Sequence, residues 1–563
     1  MQAETQHDEE RPSIRIPARS VHIPILAPFG AGRSSRRRDM RRQAGVVVPI
    51  FSIRTRRDWG IGQYTDLPRC ADWILRAGQR LLQVLPPHEL SAGEASPYGA
   101  LTAFGLDPIY ADIEAIDDLD TGAIAQALGR EGERKLERVR STDRVDYVEV
   151  RALKMTAFEA AFERFYRQEW MQRTPRATRL VDFARRERGW LDDLALYEAM
   201  RESHAGRGWR TWPEHVRDRT PAAIAQARAE DPARILKVSY VQWTLQEQWD
   251  SARRQMRDLG VELMGDLPFV VDIESADVWS HASQFQLPMS LGAPPDDFSA
   301  DGQDWGLPPY DWLAMEANDS AWIRMRARRA AQLYDRFRLD HVVGYFRQWV
   351  RRRNRSDGNA PRDRGRFDPD GRDAQRARGL RVLGAMLGEL SEAGGQVDPP
   401  RAIAEDLGVI PPFVREALVQ LRMPGYRVLP WEKDDSGFRD PRSFPKESVV
   451  SWSTHDTAPI DAWWPDLPER DRELLAERAG MVEGDDADGS LPLLADMYRA
   501  NSDLALVLAQ EILGIKERIN MPATVGPQNW TWRLPRPIED LEADPAVVSR
   551  LDSIRALVRE SDR

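Results

Sequence analysis

Short apolar runs recur along the chain, each ending in polar residues or in Gly and Pro. They cover residues 45–53, 81–85, 261–264, 337–339, 402–404, 426–429 and 449–452, with 518–521 the least apolar of the set. Near-continuous apolar runs of this length fit strands buried on both faces, as in parallel sheets. Helical patterns lie between most of them, at 67–77, 322–333, 380–390 and 413–421. Eight such runs alternating with helices predict an α/β fold, a (β/α)8 barrel with large helical insertions between barrel strands.

Two segments exceed a minimal barrel. Residues 86–260 read mostly as helix, with Met155, Phe158, Phe162 and Phe165 at three- and four-residue spacing. This predicts an inserted helical subdomain over about 113–255, inside a catalytic barrel spanning 43–563. Residues 288–310 are rich in Gly, Pro and Asp, and a long loop of that kind is usually functional. Residues 352–375 are polar and rich in Arg, Asp and Gly, and read as an exposed loop. Residues 1–42 contain a basic run, Arg33 to Arg42, with little apolar content, and read as a disordered tail.

Composition narrows the class. Of 563 residues, 42% are hydrophobic and 30% charged, with a net charge of −10 that does not favour nucleic acid. Cys70 is the single cysteine, so no internal disulfide forms, and a reducing, cytoplasmic setting is expected. No run approaches the length needed to span a bilayer, and the N-terminus does not read as a signal peptide, so no membrane partner is expected. Nineteen tryptophans suit core packing, and some suit stacking against sugar faces.

The polar residues that follow the runs carry the candidate chemistry, because barrel enzymes place their sites at the C-terminal ends of strands. The stretch 337–344 reads Phe-Arg-Leu-Asp-His-Val-Val-Gly. Arg338 and Asp340 are two apart and so share a face of a strand. Buried, they need each other or a ligand. That stretch alone suits either a structural ion pair or a nucleophile held ionised by a guanidinium. The third run ends in Gly265-Asp266-Leu267-Pro268, the fifth leads into Glu405-Asp406, and the seventh into Thr454-His455-Asp456. Carboxylates following four strands make a ring at one mouth, and packing alone does not call for such a ring. Paired carboxylates suit glycosidic chemistry: one attacks the anomeric carbon and the other protonates the leaving oxygen. A third can stabilise developing positive charge. Glu405, after Ala402-Ile403-Ala404 and beside Asp406, suits the acid, whose proton must be held near neutral pH. HExxH, a Cys pair, phosphate loops and GxSxG are absent from the sequence, so neither a catalytic metal, a phosphate-binding loop nor a Ser–His–Asp hydrolase is expected.

These motifs together resemble glycoside hydrolase family 77, the 4-α-glucanotransferases or amylomaltases allied to α-amylases. The matching stretches are Arg338-Leu-Asp-His341, Ala404 to Gly408, Thr454-His-Asp456, Gly265 to Pro268, Pro294 to Gly306, Ser96-Pro-Tyr98, Arg518-Ile-Asn520 and Asn529 to Arg533, in order over about 43–535. The resemblance implies Asp340 as nucleophile, Glu405 as acid/base and Asp456 as transition-state stabiliser. It implies that Tyr98, Asp266, Arg338, His341 and His455 serve the donor subsite, that Ser96 is substrate-binding, and that Gln303 and Trp305 sit on a closing loop. The implied substrates are maltooligosaccharides and α-1,4-glucans, and no cofactor is implied. The chain departs from the commoner pattern at Thr457-Ala458-Pro459 and at Val342-Val343, beside the implied triad. An α-1,4-glucan hydrolase and a non-catalytic glucan-binding protein are the competing readings.

Overall fold

A computed structural model describes residues 42–91, 93–295, 302–353, 365–392, 401–435, 437–481, 490–522, 524 and 526–563. The tail 1–41, residues 296–301 of the predicted 288–310 loop and residues 354–364 of the predicted exposed loop lie outside the described residues.

Eight parallel strands close into a barrel. In chain order they are β1 (Gln43–Val47), β2 (Leu81–Gln83), β3 (Glu262–Leu267), β4 (Arg336–Leu339), β5 (Ala402–Ala404), β6 (Gly425–Val428), β7 (Ser448–Ser451) and β8 (Leu504–Leu508). Each pairs with its sequence neighbour, and β8 closes on β1 with Val47 opposite Leu508. The fold is the (β/α)8 barrel. The last strand corrects the sequence reading: β8 is Leu504-Ala-Leu-Val-Leu508, every residue buried, whereas 518–521 forms no strand. A five-residue apolar run was legible there. Within 518–521, Arg518 and Asn520 reach Asp456 while Ile519 packs into the core.

The barrel closes because its strands pack without excess volume. Gly45 of β1 is required: a Cβ there would lie 2.7 Å from the Leu81 carbonyl oxygen and 2.9 Å from the Leu506 side chain.

Helices Tyr147–Phe165, Pro175–Ser203 and Pro232–Asp258 dominate the connection between β2 and β3. The last two pack together, and each starts at a polar cap, Thr174 or Asp231, followed by proline. The described residues of the 288–310 segment include two strands. Met289–Ala293 and Gln303–Asp304 join Gln348–Arg352 and Arg366–Asp368 in a four-stranded antiparallel sheet. Residues 366–368, read as loop, are therefore one of its two edge strands. Alternation is too short in these strands to show in composition. Among the described residues no helix is long and apolar enough to cross a membrane.

Candidate active site

Strand register sets the first half of the site. Asp266 on β3 lies opposite Arg338 on β4, and Leu339 lies opposite Ala404 on β5. The backbone ladder continues one step beyond the strands: Asp340 N–H donates to the Leu267 carbonyl and Glu405 N–H to that of Leu339, each at 3.0 Å. Asp340 and Glu405 thus emerge in the same layer at the C-terminal mouth. Gly265 makes room beneath them, since a Cβ there would sit 2.4 Å from the Tyr334 ring.

Arg338 ties the acids together. One guanidinium nitrogen reaches both oxygens of Asp266 at 2.8 Å and Asp340 at 2.9 Å. The other terminal nitrogen lies 3.9 Å from Glu405. Burial alone would weaken the charge on Arg338, but Asp266, Tyr98, Asp340 and Glu405 outweigh it and hold the guanidinium firmly cationic. Glu405 accepts from the backbone N–H of His341 at 2.8 Å and of Leu407 at 3.0 Å. Burial pushes its carboxyl up from 4.5 to about 8, with the charge of Asp340 adding to the rise and Arg338 opposing it. At neutral pH Glu405 therefore holds a proton beside Asp340. His341 bends the chain away from β4 in a left-handed conformation, φ 46°. Burial lowers its imidazole, which stays neutral. The Trp305 ring meets it edge-on at 5.0 Å, and Trp305 Nε1 donates to Gln303 Oε1 at 3.0 Å.

Loops build the second half. Tyr98, after β2, donates its phenol hydrogen to Asp266 at 2.8 Å. His455 Nε2 lies 2.9 Å from the Tyr98 oxygen and 3.2 Å from Asp456. With the phenol hydrogen on Asp266, Nε2 faces two acceptors and so carries the hydrogen. Asn520 Nδ2 donates to the other oxygen of Asp456 at 2.7 Å, and Arg518 donates to the Asp456 carbonyl at 2.9 Å. Burial works against ionisation of Asp456, but His455, Asn520 and Arg338 outweigh it and hold the carboxyl below its ordinary range. Glu405 and Asp456 thus stand in opposite protonation states at one mouth.

A cleft of about 370 Å³ opens over these groups, lined by Tyr98, Trp305, Asp340, His341, Glu405 and Asp456 among others. Asp266 and His455 are buried behind its wall. Ser96 and Gln303 do not line the cleft: the Ser96 hydroxyl accepts from the Tyr98 N–H at 3.4 Å, and Gln303 steadies Trp305. The sequence reading assigned no part to Asn520, Trp530, Phe269, Leu407 or Trp431. Asn520 and Trp530 sit in stretches it had singled out near the C-terminus. Trp431 is 54% exposed on the cleft rim, a large apolar side chain after β6 with no packing reason to face water. A larger cavity of about 700 Å³, lined by Glu89, Glu198 and Arg201, includes none of the ring of acids. Among the described residues no group of three or more His, Cys, Asp or Glu side chains could hold a metal ion.

A closed (β/α)8 barrel with carboxyls gathered around one arginine at its mouth defines a barrel enzyme acting on carbohydrate. The family model described as 4-alpha-glucanotransferase matches residues 48–539, and the chain belongs to that family, glycoside hydrolase family 77. It is 30% identical over 525 residues to the 4-alpha-glucanotransferase of Chlamydia muridarum, covering 91% of this chain and 94% of the relative. It is also 30% identical over 511 residues to the chloroplastic/amyloplastic 4-alpha-glucanotransferase of Solanum tuberosum, covering 88% and 82%. The fold matches the amylomaltase of Streptococcus agalactiae, solved in complex with acarbose, with a TM-score of 0.75 at 24% identity over 92% of this chain and 99% of that one. The amylomaltase of Corynebacterium glutamicum matches with a TM-score of 0.73 at 22% identity, over 92% of this chain and 75% of that one. The enzyme is a 4-alpha-glucanotransferase acting on α-1,4-glucans.

Proposed function

We propose that the enzyme transfers an α-1,4-glucan segment by retaining double displacement, with Asp340 as nucleophile, Glu405 as acid/base and Asp456 as the group that stabilises the transition state. One observation carries this reading. Glu405 and the Arg338-paired Asp340 stand at a single guanidinium and face one cleft, where burial raises the Glu405 carboxyl. Glu405 delivers its proton to the leaving 4-oxygen as Asp340 attacks the anomeric carbon, so the bond breaks without an alkoxide and a covalent glycosyl-enzyme forms. Glu405, now ionised, takes the proton of the acceptor hydroxyl, which displaces Asp340 with the original stereochemistry. Asp456, ionised and gripped by His455 and Asn520, faces the positive charge that develops on the donor sugar.

Tyr98, Asp266, Arg338, His341 and His455 would shape the donor subsite, with Ser96 positioning Tyr98. Trp305, with Gln303 fixing its indole, would shield the intermediate from water so that a sugar hydroxyl arrives first. Maltooligosaccharides would serve as donors and acceptors, without nucleic acid, membrane or cofactor. The segment 113–255 would act as an inserted helical subdomain, and residues 288–310 as the loop region closing on the site. The single buried Cys70 fits a reducing, cytoplasmic setting.

Incubation with maltotriose tests the transfer reading. Glucose together with chains longer than maltotriose is the expected product set. Only chains shorter than the input would make the enzyme a hydrolase, and no products at all would favour a binding protein.

A further inference from the structure

We propose that Trp530 is a positioning residue for catalysis, one whose indole holds Tyr98 and His455 in the geometry that orients Asp456. The inference rests on placing Tyr98, His455 and Asp456 at the donor sugar. Trp530 has a φ of +60°, a conformation that suits Gly or Asn and is an outlier for a bulky residue. Such a conformation persists only where its surroundings over-determine it. Both backbone polar groups of Trp530 are engaged. Its N–H donates to the Ile519 carbonyl at 2.8 Å, and its carbonyl accepts from the Tyr147 hydroxyl at 2.7 Å. Tyr147 starts the helix Tyr147–Phe165 between β2 and β3, and the neighbouring Val145 N–H donates to the Thr531 carbonyl at 2.9 Å. The helical layer therefore clamps the residue in its left-handed turn.

The turn places the indole against the site. The Tyr98 and His455 rings stack at 5.6 Å with 22° between their planes. The Trp530 ring tilts against both, at 5.8 Å from Tyr98 and 5.9 Å from His455. The stacked pair is what connects Asp266 to Asp456, through 2.8, 2.9 and 3.2 Å contacts. A ring that fixes two members of this chain acts on Asp456 without touching substrate. An ordinary core tryptophan would need no left-handed backbone. Here the strained backbone and the back of the donor pocket meet at one residue.

Trp530→Gly relaxes the backbone and deletes the ring, and Trp530→Asn does the same while keeping a side chain that tolerates φ above zero. In whichever of the two folds, kcat for maltotriose disproportionation should fall about 10²-fold with KM changed less than about threefold, as expected for misplacement felt in the transition state. Trp530→Phe should recover kcat to within about tenfold of the starting enzyme, because an aromatic wall remains. Tyr98→Phe combined with Trp530→Gly or Trp530→Asn should be no worse than about threefold below the poorer single variant, since both act through one chain of contacts. A Trp530 variant with a lowered Tm and an unchanged kcat would make the residue merely structural, and independent multiplication of the two losses would also overturn the proposal. Asp456→Asn separates the levels. If that variant keeps full activity, the donor-site reading itself fails. If it is inactive while Trp530→Gly or Trp530→Asn is not, only the positioning role fails.

Discussion

The two halves of the site are built by different means. Asp266, Arg338, Asp340 and Glu405 stand on or one residue beyond adjacent barrel strands, and their relative height follows from strand register. Tyr98, His455, Asp456, Asn520 and Trp530 come from three loops, and side-chain contacts between chain-distant residues set their geometry. Tyr98 is 168 residues from Asp266 and 357 from His455. In the proposed mechanism the strand half carries the bond-making groups, which tolerate little displacement. The loop half holds the Asp456 carboxylate and the stacked Tyr98–His455 pair, which the proposed mechanism places at the donor sugar. Arg338 belongs to the first half but reaches the second through Asp266 and Tyr98.

Removing the proposed nucleophile tests the strand half most severely. Asp340→Asn should lower transfer by on the order of 10⁴-fold while glucan binding, read by calorimetry, stays near that of the starting enzyme. Wild-type-like turnover would remove Asp340 from the mechanism.

Glu405→Gln should cost about 10²- to 10⁴-fold in kcat. In the unsubstituted enzyme the alkaline limb of kcat/KM should fall near pH 8, where Glu405 loses its proton. The same shift has a stability consequence. The folded carboxyl binds its proton up to about pH 8 and the unfolded one only to about 4.5, so this contribution is full below 4.5 and lost as pH rises through 8. Glu405→Gln should flatten the decline of Tm over that interval, and an unchanged slope would show that Glu405 does not titrate as described.

Arg338→Lys probes the link between the halves. A lysine keeps the charge but lacks the planar donor set that serves Asp266 and Asp340 together, and a loss of about 10²-fold in kcat is expected. A loss under threefold would mean that the halves do not depend on a shared guanidinium. The smallest effect belongs to Asn520→Ala, which removes one hydrogen bond to the ionised Asp456 and should lower kcat about tenfold. A larger loss there than in Arg338→Lys would invert the comparison and place the main electrostatic burden on the loop half.

Much of the strand half was legible in sequence. A buried apolar run that ends in Asp or Glu is a local pattern, and Arg338-Leu-Asp340 fixes two side chains on one face by the period of a strand. The order of strands around the barrel also followed from chain order. The eighth strand is where the reading of apolar runs fails: 504–508 is plainly apolar, whereas the weak run 518–521 belongs to a loop that presents Asn520 to Asp456. In the loop half, Thr454-His455-Asp456 was legible as a carboxylate following a strand and Tyr98 through the resemblance, but the contacts that orient them were not. Single residues such as Tyr98, Trp431 and Trp530 have no period, and nothing near them in sequence says what they touch.

The sequence by itself determined the alternation of strands and helices, the carboxylates at strand ends and the family to which they belong. Those are properties of neighbours in the chain, set by side-chain period and burial. Only the tertiary structure decided that Arg338 touches Asp266 and Asp340 and lies 3.9 Å from Glu405, that Glu405 holds a proton while Asp456 does not, and that Trp530 is held left-handed behind Tyr98 and His455. Burial and charge at a site depend on which distant segments close over it, and barrel closure brings those segments together.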